Sequence, residues 1–217
     1  MKNVDLEARW AKTVEKCGKM RNLRLEDFNM IKDIYSSPDR FYHNLNHLKY
    51  CFWVFDRTFP LTKYKAALDL SIWFHDIFYD MLKHETNEIV SADYAKKYIK
   101  GRAGENDFGL SDLVGEFILS TKHDAPPKNH MCEMIMDVDM VILAADHETF
   151  NEYEKNIRKE YMVHRLESAS TNDYNTGRLK FLNGLLSKKC IFYTKELKSL
   201  DPLARENISR SILNLAS

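Results

Sequence analysis

Seven consecutive residues, Ile72-Trp73-Phe74-His75-Asp76-Ile77-Phe78, set an imidazole and a carboxylate side by side in a run whose other members are all large and apolar. Those neighbours favour burial, and burying them buries the pair. An uncompensated charge in an apolar interior is costly. Any fold of this chain must therefore bring compensating groups to His75 and Asp76, and a divalent cation held by further ligands is the most economical compensation.

Sparse punctuation indicates the scaffold. Only 7 Gly and 5 Pro occur in 217 residues, and between them apolar residues recur at three- and four-residue spacing, the period of an amphipathic helix. The pattern predicts helices over about 4–20 and over 25–36, where Leu25, Phe28, Ile31, Ile34 and Tyr35 share a face before Ser36-Ser37-Pro38. A third starts at the N-cap candidates Asn44 to Asn46 and runs through Cys51, Val54 and Phe55 to Phe59-Pro60. Thr62 caps a helix of 63–79 that carries His75-Asp76 near its end, and 86–100 turns Ile89, Ala92, Ala95 and Ile99 inward. Further helices fall at 110–122, 130–143, 147–163, 171–187 and 195–215, with 101–109 the longest loop-like interval. No run of period two, internal repeat or low-complexity tract interrupts this pattern. The expectation is an all-α, single-domain helical bundle over 1–217, with a site-bearing core at about 25–145 and C-terminal helices at 147–215. Trp53, Phe55, Trp73 and Phe74 read as core packing.

With 44% hydrophobic residues the chain can bury one sizeable core. The 32 basic and 32 acidic residues cancel, so no global field steers it onto nucleic acid or an anionic membrane. Cys17, Cys51, Cys132 and Cys190 are far apart and read as reduced thiols of a cytoplasmic protein. The N-terminus lacks the apolar core of a signal peptide, and no window approaches the ~18 apolar residues of a membrane span.

The missing partners have candidates. His43 and His47 are four apart, so if a helix or tight turn runs through both, their rings share a face. Asp137 and Asp139 sit in the apolar stretch Met134 to Leu143 and point about 200° apart around a helix axis, so only one can face a given site. Two histidines with two aspartates form a set that Mn²⁺, Fe²⁺, Co²⁺ or Zn²⁺ accepts, with Ni²⁺ and Mg²⁺ also open.

The order H…HD…D on helices resembles the HD superfamily of metal-dependent phosphohydrolases. The likeness extends over Arg40 to Leu48, Trp73 to Asp80, Asn87 to Ala92 and Asp137 to Leu143, and in the C-terminal half over Ile157-Arg158-Lys159-Glu160-Tyr161, Gly177-Arg178 and Ile191-Phe192-Tyr193-Thr194. These segments, within roughly 25–210, look like a small family of predicted HD phosphohydrolases of about this length. The resemblance implies that His47, His75, Asp76 and Asp139 hold the metal. Asp137 is then a residue that hydrogen-bonds a ligand histidine or caps a neighbour, or one that faces solvent.

His43 is similar to the histidine of the Tyr-His-Asn motif in cyclic nucleotide phosphodiesterases, which protonates the leaving oxygen; a supporting hydrogen bond is the alternative role. Asp80, one turn after Asp76, resembles the acidic residue that helps activate water in alarmone hydrolases, and Glu88 competes for that role. His123 matches positions where HD proteins hold a second metal, given help from His130 or His84. Lys122, His123, Arg158 and Arg178 are candidates for holding substrate phosphate, the arginines by their bidentate geometry.

The expected function is metal-dependent hydrolysis of a nucleotide or related small phosphate ester or anhydride, with monoesterase, diesterase and pyrophosphohydrolase chemistry all open. Two alternatives stand beside it: a diiron HD-type oxygenase and a non-catalytic nucleotide-binding module. No G-x-x-x-x-G-K-[ST], G-x-G-x-x-G or G-x-S-x-G motif occurs, which disfavours P-loop, dinucleotide and serine-nucleophile chemistry.

Overall fold

The structure, a computed structural model, describes residues 4–18, 24, 26–80, 85–164 and 171–216. Among them the chain is all-helical. In order come α1 (Leu6–Lys16), α2 (Asp27–Tyr35), α3 (Leu45–Thr58), α4 (Lys65–Phe74), α5 (Asn87–Ala103), α6 (Leu110–Ser120), α7 (His130–Met140), α8 (His147–His164), α9 (Thr171–Ser187) and α10 (Asp201–Ala216). Short 3-10 turns follow α5 and α7 and lead into α10. Asp5, Asn44 and Asn129 cap α1, α3 and α7, accepting from Ala8 N at 3.1 Å, Asn46 N at 2.8 Å and Cys132 N at 3.0 Å. Each satisfies a first-turn donor that has no partner within its helix.

Helix α4 is the hub. Every residue from Ala67 to Phe74 is buried, as expected of a helix enclosed on all sides, and it packs against α1, α3, α5, α6 and α7. Trp73 meets Phe52, Trp10 and Phe28 at ring separations of 4.6, 5.4 and 6.0 Å, and its indole N–H donates to Thr13 Oγ1 at 3.1 Å. Asp69, fully enclosed in this helix, is gripped through both oxygens by the Arg9 guanidinium and also by Lys16 Nζ at 3.0 Å.

The periodicity overstates α4. It begins at Lys65 behind Tyr64, not at a Thr62 cap, and ends at Phe74. His75 is its C-cap and Asp76 lies in the turn beyond, closed by Ile77 N donating to Phe74 O at 3.2 Å. Arg40 takes over the freed carbonyls, donating to Asp76 O at 2.7 Å and Ile77 O at 3.1 Å, a cation placed where a helix C-terminus favours one. Phe78 consequently leaves the core and is 41% exposed.

On α5 the buried stripe runs Asn87, Ser91, Ala95, Ile99, Ala103, with Ala92 beside it, leaving Ile89 exposed rather than inward. The first two are buried because they satisfy the backbone that follows α4. Ser91 Oγ bonds Phe78 N and O at 3.1 and 3.2 Å, and the Asn87 amide bonds Asp80 N and O at the same two distances. The expected loop at 101–109 is partly helical, since α5 continues to Ala103. Leu25 and His84 lie outside the described residues. Among the described residues, no helix is long and apolar enough to cross a membrane.

Candidate metal centre

Helix α3, the turn after α4 and the end of α7 deliver four side chains to one point. His47 Nε2 lies 3.0 Å from His75 Nε2, 3.5 Å from Asp76 Oδ2 and 3.4 Å from Asp139 Oδ1. His75 Nε2 lies 3.0 Å from Asp76 Oδ2 and 3.5 Å from Asp139 Oδ1. Two donors bound at about 2.1 Å to a common ion stand about 3.0 Å apart at an octahedral right angle and about 3.4 Å apart on a tetrahedron. The separations, 3.0 to 3.5 Å, lie at or just above this range. Asp76 Oδ2 is buried and, despite its closeness to both imidazoles, makes no hydrogen bond, so its lone pairs remain for a cation. His75 Nδ1 donates to Ile72 O at 2.9 Å, which fixes the tautomer and turns the Nε2 lone pair to the centre. The four residues fit a divalent metal.

The electrostatics agree. Burial works against a charge on His75, yet Asp76 and Asp139 outweigh it and raise its pKa well above the ordinary 6.5. Burial likewise opposes ionisation of Asp76 and Asp139, but the histidines around them hold both carboxyls well below their usual range. His47 is pushed down, first by burial and then by its histidine neighbour. The two carboxylates thus draw positive charge into the pocket.

His43 lies just before α3, because Asn44 caps that helix, so it does not share a helix face with His47. A different device aims it. Glu160 of α8, fully buried, accepts from Tyr42 N at 2.6 Å and His43 N at 2.8 Å through one oxygen, and meets His43 Nδ1 at 2.7 Å through the other. Tyr79 stacks on the same imidazole, ring centroids 3.8 Å apart. Burial lowers the His43 pKa, but Glu160 and then Asp76 more than offset this and the net shift is upward. Arg40 also donates to His43 O at 3.1 Å, so one guanidinium ties the histidine loop to the turn that bears Asp76.

The remaining candidates divide. His123 reaches the centre, its Nε2 2.9 Å from Asp139 Oδ2, on a backbone at φ 56° that is uncommon for a non-glycine residue; Lys188 Nζ donates to its carbonyl at 2.8 Å. Glu88 is raised by burial and then by the charges of Asp76 and Asp139, and its Oε2 is buried without a hydrogen bond. Asp80 is not on a helical continuation from Asp76, since α4 has ended. Lys122 pairs with Asp124 at 2.8 Å.

Arg178 is buried, bonding Tyr153 Oη at 2.6 Å and Glu154 Oε1 at 2.5 Å. Tyr153 packs on Tyr42, whose ring stands 5.0 Å from that of His47, so Arg178 buttresses the site from behind. Arg158 lies exposed on α8 over the Tyr174 ring, and His130 pairs with Glu133 in the first turn of α7; neither joins the cluster. Asp137 touches no ligand histidine and no solvent. It accepts from Tyr193 N at 2.8 Å, Thr194 N at 2.7 Å and Thr194 Oγ1 at 2.7 Å, capping that segment.

Comparison with models of known families, with curated proteins and with solved structures finds no match for this chain. Glu160, Arg40 and Cys51 received no role from sequence reasoning. Glu160 had a signal: it continues the buried stripe of Tyr153 and Ile157 at helical spacing, and a carboxylate on such a stripe needs a partner. Arg40 had none, because its acceptors are main-chain carbonyls.

Proposed function

We propose that this chain is a metal-dependent phosphohydrolase of HD type, acting on a nucleotide or a related small phosphate ester or anhydride. The observation that carries the reading is the convergence of His47, His75, Asp76 and Asp139 at ligand separations, with a buried carboxylate oxygen left unbonded. A divalent ion held there supplies an acidified water and polarises a phosphoryl oxygen.

The protein's own groups do the rest. Glu160 and Tyr79 fix the His43 ring, and Glu160 raises its pKa against the lowering effect of burial, so it is equipped to give a proton to a leaving oxygen. Glu88, its pKa raised by burial and then by Asp76 and Asp139, is suited to accept a proton from an attacking water. His123 holds Asp139 through its second oxygen. A diiron centre would need additional ligands around a second ion; among the described residues only His123 adds a histidine to the cluster.

The test is a phosphate-release screen over nucleoside mono-, di- and triphosphates, cyclic nucleotides and alarmones with Mn²⁺, Co²⁺ and Mg²⁺. Turnover that vanishes together with metal binding in Asp76→Ala and His47→Ala is the expected result. An active, metal-free variant would refute the proposal.

A further inference from the structure

Cys51 follows His47 by four residues on α3, so both side chains leave one face of the helix. Cys51 Sγ lies 3.6 Å from His47 Nε2, and His47, Cys51 and His75 form a second buried group whose ligand atoms all lie within 4.8 Å of one another. With bonds of about 2.3 Å to sulfur and about 2.1 Å to nitrogen, a tetrahedral ion spaces the two atoms about 3.6 Å apart. The thiol also lies 3.8 Å from His47 Nδ1 and 3.9 Å from Val138 O, both long contacts. Asp76 Oδ2, buried and unbonded beside both imidazoles, independently marks this spot as one that takes a cation.

We propose that Cys51 gives the centre a second, mutually exclusive binding mode. Harder ions take His47, His75, Asp76 and Asp139, whereas thiophilic ions such as Cd²⁺ and Zn²⁺ take His47, His75 and Cys51 Sγ. The softness of sulfur drives the choice. The sulfur binds as thiolate and its proton passes to solvent. Because the modes share both imidazoles, a thiophilic ion displaces the harder one, making Cys51 the residue through which such ions switch the protein off. This inference rests on the metal-centre reading above.

The experiment titrates Cd²⁺ into the full-length, metal-stripped chain, following sulfur-to-cadmium charge-transfer absorption in the ultraviolet, with Mn²⁺ binding followed separately by electron paramagnetic resonance. The expected result is a charge-transfer band that saturates as Cd²⁺ displaces Mn²⁺ one for one, and that is lost in both Cys51→Ser and Cys51→Ala. Displacement of Mn²⁺ without a band in the wild type, or a band undiminished in Cys51→Ser, overturns the thiol mode and leaves the harder-ion centre standing. Failure of Mn²⁺ to bind at all overturns the centre, and this inference with it.

Discussion

Asp137 and Asp139 stand two residues apart on α7 and do unrelated work, so replacing each by alanine should separate folding from metal binding. Asp137→Ala removes the acceptor for Tyr193 N, Thr194 N and the Thr194 hydroxyl. The hydroxyl can turn to another acceptor, but the two backbone N–H groups cannot. A donor stranded on burial costs about 1–3 kcal/mol, so the variant should lose about 2–6 kcal/mol, a large share of the ~5–15 kcal/mol typical of a folded domain. Urea unfolding of the metal-free proteins reads this as a lower midpoint at unchanged slope. A parallel Mn²⁺ titration of the still-folded fraction should find the ligand set intact. Asp139→Ala should behave oppositely, losing the metal while unfolding at a midpoint closer to wild type. A loss below about 1 kcal/mol in Asp137→Ala, or metal binding abolished as completely there as in Asp139→Ala, would show that the carboxylates are misassigned.

Metal should stabilise the wild type by about 2.7 kcal/mol at a hundredfold excess over Kd; a melting temperature that rises with Mn²⁺, falls back with chelator and ignores both in His47→Ala is the expected pattern. Glu160→Gln should open a pH-dependent stability gap. The raised His43 pKa means the pair contributes fully below 6.5 and fades as pH climbs through the raised value. The lowered Glu160 pKa means it contributes above 4.5 and fades as pH drops through the depressed value. The gap between wild type and variant is therefore widest at pH 4.5–6.5, and thermal melts giving a pH-independent gap contradict the assignment. Asp69→Ala leaves Arg9 buried without its main partner and should cost about 3–5 kcal/mol with Mn²⁺ affinity unchanged, since Asp69 belongs to the α1 contact and not to the centre.

Much of this was legible in the residues because burial is legible. The three- and four-residue spacing located all ten described helices, as core packing dictates that pattern directly. His75-Asp76 pointed to a cluster because its neighbours are apolar, and the half-turn between Asp137 and Asp139 sends one to that cluster and the other to Tyr193 and Thr194. What escaped depends on polar satisfaction between distant segments. The early end of α4 follows from Arg40, Asn87 and Ser91 capturing main-chain groups, and no periodicity encodes that. The helical spacing of Asp80 from Asp76 presumed the same continuation, a helix that ends at Phe74. The orientation of His43 likewise depends on Glu160, 117 positions away in sequence.

That last contact changes how the chain should be dissected. Every proposed ligand precedes residue 140, so a fragment cut before α8 would keep the whole ion-holding set. It would lose the carboxylate that anchors Tyr42 and His43, and with Tyr193 and Thr194 gone Asp137 would be a buried anion with nothing to hold. Such a fragment, if it folded, should load metal with His43 unanchored, and drift in the C-terminal helices should register as a displaced imidazole well before it registers as a lost cation.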